Sequence, residues 1–132
     1  MRIGTLKQTQ KNRVNFRTWI KNYWKGEEVE LEIIRIFLPG MYNNFTLIME
    51  DEENNLEVKR TLSAELGKQL IKNFKLSIKK ITEGVLLLKI DKNGNQDIIY
   101  KNTPELGYEF KNNCFVLVDL TNQQEEDEDL PF

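Results

Sequence analysis

Apolar and polar residues alternate with a period of two from Val29, where Val29, Leu31 and Ile33 are separated by Glu30 and Glu32, before the run turns apolar through Leu38 apart from Arg35. This predicts a long first strand, half-buried at its start and bent where the pattern changes. Pro39-Gly40 and Asn43-Asn44 mark a loop. Phe45 to Glu50 (FTLIME) and Leu56 to Leu62 (LEVKRTL) then read as second and third strands around a turn at Asp51 to Asn55. Ser63 is a helix cap, and Leu66, Leu70, Ile71 and Phe74 recur at three- and four-residue spacing, so a helix spans Ala64 to Asn73. Beyond it LSIKKI, VLLLKID, DIIY and CFVLVDL read as short strands, with Asp91 to Asn95 as a hairpin turn rather than a phosphate-cradling loop. Ahead of the first strand, RVNFRTWIKNYWK (13–25) sets Phe16, Ile20, Tyr23 and Trp24 at helical spacing. A short amphipathic helix is predicted there, with Trp19 turned about 100° away from that stripe.

Three strands, a helix and further strands is the element order of the OB-fold, a five-stranded Greek-key barrel in which a helix joins strands three and four. The expectation is a mainly-β, OB-fold-like barrel, although a small α+β sheet packed on one side gives much the same pattern. A chain of 132 residues suits one domain with tails. The organisation expected is a basic N-terminal extension with a helix at 1–25, the barrel at 26–120 and a flexible acidic tail at 121–132.

Charge adds what periodicity lacks. Residues 1–25 hold Arg2, Lys7, Lys11, Arg13, Arg17, Lys21 and Lys25 and no acid, whereas residues 125–129 hold five of the 21 acids. Without those five the chain has sixteen acids against 19 bases, so the net charge of -2 comes from the tail. A basic body with an acidic end suits a phosphate-binding protein, while charge runs alone equally describe a solvated surface. With no histidine and only Cys114, the usual zinc ligand set, a histidine-based triad and an internal disulfide are excluded. Cys114 lies in an apolar run and reads as core. The expectation is a non-enzymatic cytoplasmic protein with no catalytic residues, no metal and no cofactor. No apolar run approaches the ~20 residues of a membrane span, and the basic start lacks the apolar segment of a secretory signal.

The chain finishes QQEEDEDLPF. Glu126, Asp127, Glu128 and Asp129 followed by Leu130, Pro131 and Phe132 resemble the C-terminal tip of bacterial single-stranded-DNA-binding proteins, an aspartate cluster followed by Ile-Pro-Phe, with Leu130 where isoleucine is usual. The compact start WIKNYWKGEEVELEII is more similar to the phage or mobile-element members of that family. The resemblance implies an OB-fold body that binds single-stranded DNA, and a tip (Asp127, Glu128, Asp129, Leu130, Pro131, Phe132) that docks on replication and recombination proteins. The tip is intelligible physically: Phe132 offers a ring and a carboxylate to an apolar pocket beside an arginine, Pro131 stiffens the approach, and the acids steer association with a basic rim.

Non-specific single-strand binders stack bases on aromatic rings, each worth roughly 1–3 kcal/mol, and follow the backbone with lysine and arginine. The aromatic candidates are Trp19, Tyr23 and Trp24 among Arg17, Lys21 and Lys25, Tyr42 in the first loop, and Tyr100 and Tyr108 flanking Lys101. Lys59, Arg60, Lys75, Lys79 and Lys80 are the phosphate candidates, while Phe37 and Phe45 read as core. A homo-oligomer, dimer or tetramer, is expected from exposed strand edges. Two other classes give a similar composition: an interaction adaptor, with a single-strand annealing protein as a closer neighbour, and a metal-dependent nuclease built on Glu50, Asp51, Glu52 and Glu53.

Overall fold

A computed structural model describes residues 11–40 and 43–121. The chain is mainly β. Its strands are β1 (Asn12–Asn15), β2 (Val29–Phe37), β3 (Phe45–Asp51), β4 (Leu56–Leu62), β5 (Thr82–Glu83), β6 (Val85–Ile90), β7 (Gln96–Lys101), β8 (Leu106–Lys111) and β9 (Cys114–Asp119), and its helices are α1 (Phe16–Asn22) and α2 (Ala64–Asn73).

The spine of the sheet is β2. One edge pairs antiparallel with β3; the other takes β6 along Val29 to Glu32 and β9 along Arg35 to Phe37. The change of partner coincides with a register shift between Ile33 and Arg35, a bulge of the kind that bends a strand and increases its twist. From this fork one arm continues β3–β4–β1, a second β9–β8–β5 and a third β6–β7. Among the described residues the sheet has nine strands rather than the expected five, and its pairings leave β1, β5 and β7 as edges.

Local chemistry explains why most expected elements form. Asp51 accepts from Asn54 N–H in the β3–β4 turn. Asp91 Oδ1 accepts from Asn93 and Asn95 N–H at 2.9 Å, pulling the Asp91 pKa down through those bonds, led by Asn95. Asn112 and Asn113, both at positive φ, make the two-residue β8–β9 turn, a conformation asparagine tolerates. Ser63 caps α2 by accepting from Leu66 N–H, and Gly67 lets the helix press onto the Phe45 ring, where a Cβ would collide. LSIKKI, expected as a strand, is not one: Leu76 is buried, Ile78 is exposed, and Lys79 N–H bonds Ser77 Oγ in a local turn. β1, β5 and β8 were not expected. Residues 12–15, expected in the N-terminal extension and, from residue 13, in its helix, instead pair in parallel with β4, which ties this part of the extension into the sheet.

The core gathers the inward faces of these strands around Ile33, Leu47, Met49, Val58, Leu86 and Ile90, none of which is exposed. Trp19 joins them, 2% exposed, with its indole N–H donating to Asp51 Oδ2 at 2.7 Å. This corrects the outward placement expected for Trp19. Helix α1 is only seven residues long and is fixed by β1, so the residue facing the core is the one whose large apolar body can be buried while its N–H finds an acceptor.

Tyr108 closes the fork. Glu32–Leu87 is the last β2–β6 pair, and the next two residues, Ile33 and Leu86, have separated. The Tyr108 hydroxyl donates to Ile33 C=O at 2.6 Å and accepts from Leu86 N–H at 2.9 Å, with the side chain 1% exposed. Tyr108→Phe leaves two buried backbone groups without that partner, at about 1–3 kcal/mol each, so its urea midpoint should fall well below that of the parent. Burial pushes the Tyr108 pKa up, which means that only the neutral phenol is accommodated in the native state. The corresponding stability is complete below the ordinary tyrosine pKa of about 10 and declines as pH rises above it. Denaturation curves from neutral to alkaline pH should show this decline, with the Tyr108 contribution missing in Tyr108→Phe.

Candidate nucleic-acid interface

The structure separates the expected contacts into three groups. Tyr23 and Trp24 lie half-buried against the core, Trp24 donates its indole N–H to Glu27 C=O at 2.8 Å, and both line a small cleft with Glu27, Glu28, Asp51 and Glu53. Acids surround them, so with buried Trp19 they do not form the exposed basic-aromatic patch expected of that segment. Part of the N-terminal charge is also neutralised: Lys11 pairs with Glu50, Arg13 with Glu57 at 2.8 Å and Lys25 with Glu53 at 3.3 Å. Tyr42 and the tip residues Asp127, Glu128, Asp129, Leu130, Pro131 and Phe132 lie outside the described residues.

The second group, Lys59 and Arg60, splits because neighbouring residues of a strand face opposite ways. Lys59 is exposed on one face of β4. Arg60 stands between Val58 and Leu62 on the inward face and is only partly buried: its guanidinium sits 4.7 Å from the Phe16 ring centroid and donates to Gln96 Oε1 on β7 at 2.7 Å. Partial burial pulls the Arg60 pKa down from its ordinary value. The contact bridges β4 and β7, which are not paired with each other.

The third group is brought together by α2 and β7. Leu66, Leu70 and Phe74 face Leu88 and Ile98 across an open groove of about 370 Å³, rimmed by Arg60, Gln69, Asn73, Gln96 and Asp97. Past its end Tyr100, 44% exposed, stacks on Phe74 with ring centroids 6.3 Å apart and donates its hydroxyl to Glu83 C=O at 2.7 Å. The ring lies over Gly84, where a Cβ would overlap it. One side of Tyr100 is therefore packed and its hydroxyl is anchored, which holds a partly exposed ring in a fixed orientation. Lys75, Lys79 and Lys80 follow Phe74 directly and are all exposed.

Lys75 has φ 57°, the left-handed position after α2, where Leu76 N–H bonds Ile71 C=O and Lys75 N–H bonds Lys72 C=O. Glycine is the usual occupant of this helix-ending motif, and a side chain there carries strain of about 1 kcal/mol. The acidic counterpart lies elsewhere: Glu30, Glu32, Glu50, Asp51, Glu52 and Glu53, with Lys101 as one cation among them, line a groove of about 460 Å³ floored by Leu31, Val85, Leu87 and Leu106. Of the turn acids considered for a nuclease, Glu50 is salt-bridged to Lys11 and Asp51 is bonded to Trp19 and Asn54. Among the described residues no group of three or more acids, cysteines or histidines is arranged to hold a metal ion.

The surface positions of Lys75, Lys79, Lys80, Arg60 and Tyr100 were legible in the sequence. Phe74 as the support under Tyr100, and Gln96 as the partner of Arg60, were not. A signal for the second exists, since Arg60 interrupts the inward series Leu56, Val58, Leu62. Comparison of the chain with family models, curated proteins and solved structures finds no match.

Lys75→Gly should raise the melting temperature by relieving the left-handed strain, an effect of about 1 kcal/mol, while Gly84→Ala should displace Tyr100 and increase iodide quenching of tyrosine fluorescence.

Proposed function

We propose that the chain binds single-stranded DNA without sequence preference through the surface of α2, the segment after it and β7, and recruits replication or recombination proteins through residues 127–132. The observation that carries the first half is the support of Tyr100 by Phe74, Gly84 and Glu83, with three exposed lysines, Lys75, Lys79 and Lys80, in the segment that follows Phe74 in the chain. A supported aromatic face takes any base, because every base has a π-face, and lysines follow the backbone whatever its sequence. The Arg60–Phe16 pair offers a cation near the other end of the groove. The acid-lined groove around Glu30 and Glu53 repels phosphate, so the strand runs along the α2 side and away from it.

The order β2–β3–β4–α2–β6 supports reading the sheet as an elaborated OB-fold, with a long, bent first strand shared between arms. The second half of the proposal rests on the terminal acids and Leu130-Pro131-Phe132, and the binding is intrinsic to a chain with no catalytic step.

Tyr100→Ala should weaken oligo-dT binding by roughly 1–3 kcal/mol, and Lys75→Glu with Lys79→Glu and Lys80→Glu should weaken it further and flatten its salt dependence. Trp19→Phe should leave affinity unchanged while lowering stability. Removal of residues 125–132 should preserve or raise DNA affinity. Fluorescence anisotropy with labelled oligo-dT measures all four; unchanged affinity in both the Tyr100 and the lysine variants would refute the assigned surface.

A further inference from the structure

β7 pairs with β6 on one side, and among the described residues no strand pairs with its other side. A row of unpaired backbone donors and acceptors is a template for another strand unless something blunts it. Two of the exposed large apolar side chains adjoin this edge: Tyr100 stands on β7 itself, and Leu66, 54% exposed, lines the groove that Ile98 of β7 also lines.

The sequence of the edge selects its occupant. The register with β6 puts Gln96, Ile98 and Tyr100 on the face of Ile90, Leu88 and Leu86, and Asp97, Ile99 and Lys101 on the other face. An antiparallel pair of β7 strands about a two-fold axis through Ile99 sets Asp97 opposite the partner's Lys101, and Lys101 opposite the partner's Asp97. Ile99 then meets the partner's Ile99, and Ile98 meets the partner's Tyr100. Shifting the register by one residue sets Asp97 opposite the partner's Tyr100 and loses both charge pairs. Opposite charges directly across a strand pair stabilise it and like charges destabilise it, and self-complementarity of this kind is what a two-fold interface requires. Within the chain Asp97 faces Lys89, whose ammonium already lies 3.7 Å from Glu28.

We infer that two copies of the chain associate by antiparallel pairing of their β7 strands centred on Ile99. The inference names an interface for the expected homo-oligomer and stands apart from the DNA-binding proposal, since it concerns the protein without DNA. In the joined sheet both Tyr100 rings lie on the side that carries α2, which makes one continuous surface of the two aromatic platforms.

Sedimentation equilibrium of the full chain, free of DNA, tests this directly. The parent should have at least twice the 15.6 kDa mass of one chain. Asp97→Lys and Lys101→Asp, each placing like charges opposite one another, should each reduce the assembly, to monomer if it is a dimer. The double variant Asp97→Lys with Lys101→Asp should restore it. Independently, Ile99→Cys should oxidise to a disulfide-linked dimer, because Cys114 is buried and does not compete. A monomeric parent overturns the inference, and so does an oligomer indifferent to both single charge reversals or one in which the Ile99→Cys variant fails to cross-link.

Discussion

The fold depends on one hydroxyl. β2 changes partner half-way along its length, and a strand that does so leaves backbone groups facing a gap at the point of change. Tyr108 fills that gap from β8, bonding Ile33 of β2 and Leu86 of β6 together. The β6–β7 and β9–β8–β5 arms thereby meet the β2 spine at one residue, because Tyr108 itself belongs to β8. A buried phenol with its donor and acceptor both in use fixes the angle between arms as a hydrophobic contact, which has no direction, does not.

The positions of the candidate residues follow from that geometry. The β6–β7 arm departs on one side of β2 and the β3–β4 arm on the other, so β4 and β7 approach without pairing. Arg60 spans that approach through Gln96, and α2, which leaves the end of β4, packs beside β7 with Phe74 under Tyr100. Basic and aromatic groups thus collect on the α2 side, while the β2–β3 end and the β3–β4 turn collect acids.

Much of this was legible in the chain itself. The alternation of Val29, Leu31 and Ile33, the FTLIME and LEVKRTL runs and the Ser63 cap mark β2, β3, β4 and α2 at nearly their observed bounds. Their signals are local, one face or one cap at a time. β8 was missed because Gly107, Glu109 and the polar ends of the segment leave only a weak apolar alternation, although its partner β9 follows after a two-residue turn. LSIKKI misled because Leu76 and Ile78 alternate with polar residues as a strand's would, yet the end of α2 at Lys75 turns the chain so that only Leu76 is buried. Trp19 misled for a similar reason: helical spacing identifies a stripe, but the orientation of a seven-residue helix is set by the strand before it. The placement of Tyr100 over Gly84 is tertiary and has no sequence pattern of its own.

The most direct test of the DNA-binding proposal is equilibrium titration of the full chain with oligo-dT and with duplex DNA of equal length at two salt concentrations. Tight binding to the single strand, weak binding to the duplex and loss of affinity with added salt are the expected result. Absence of binding to the single strand at low salt, or equal affinity for the duplex, would contradict it.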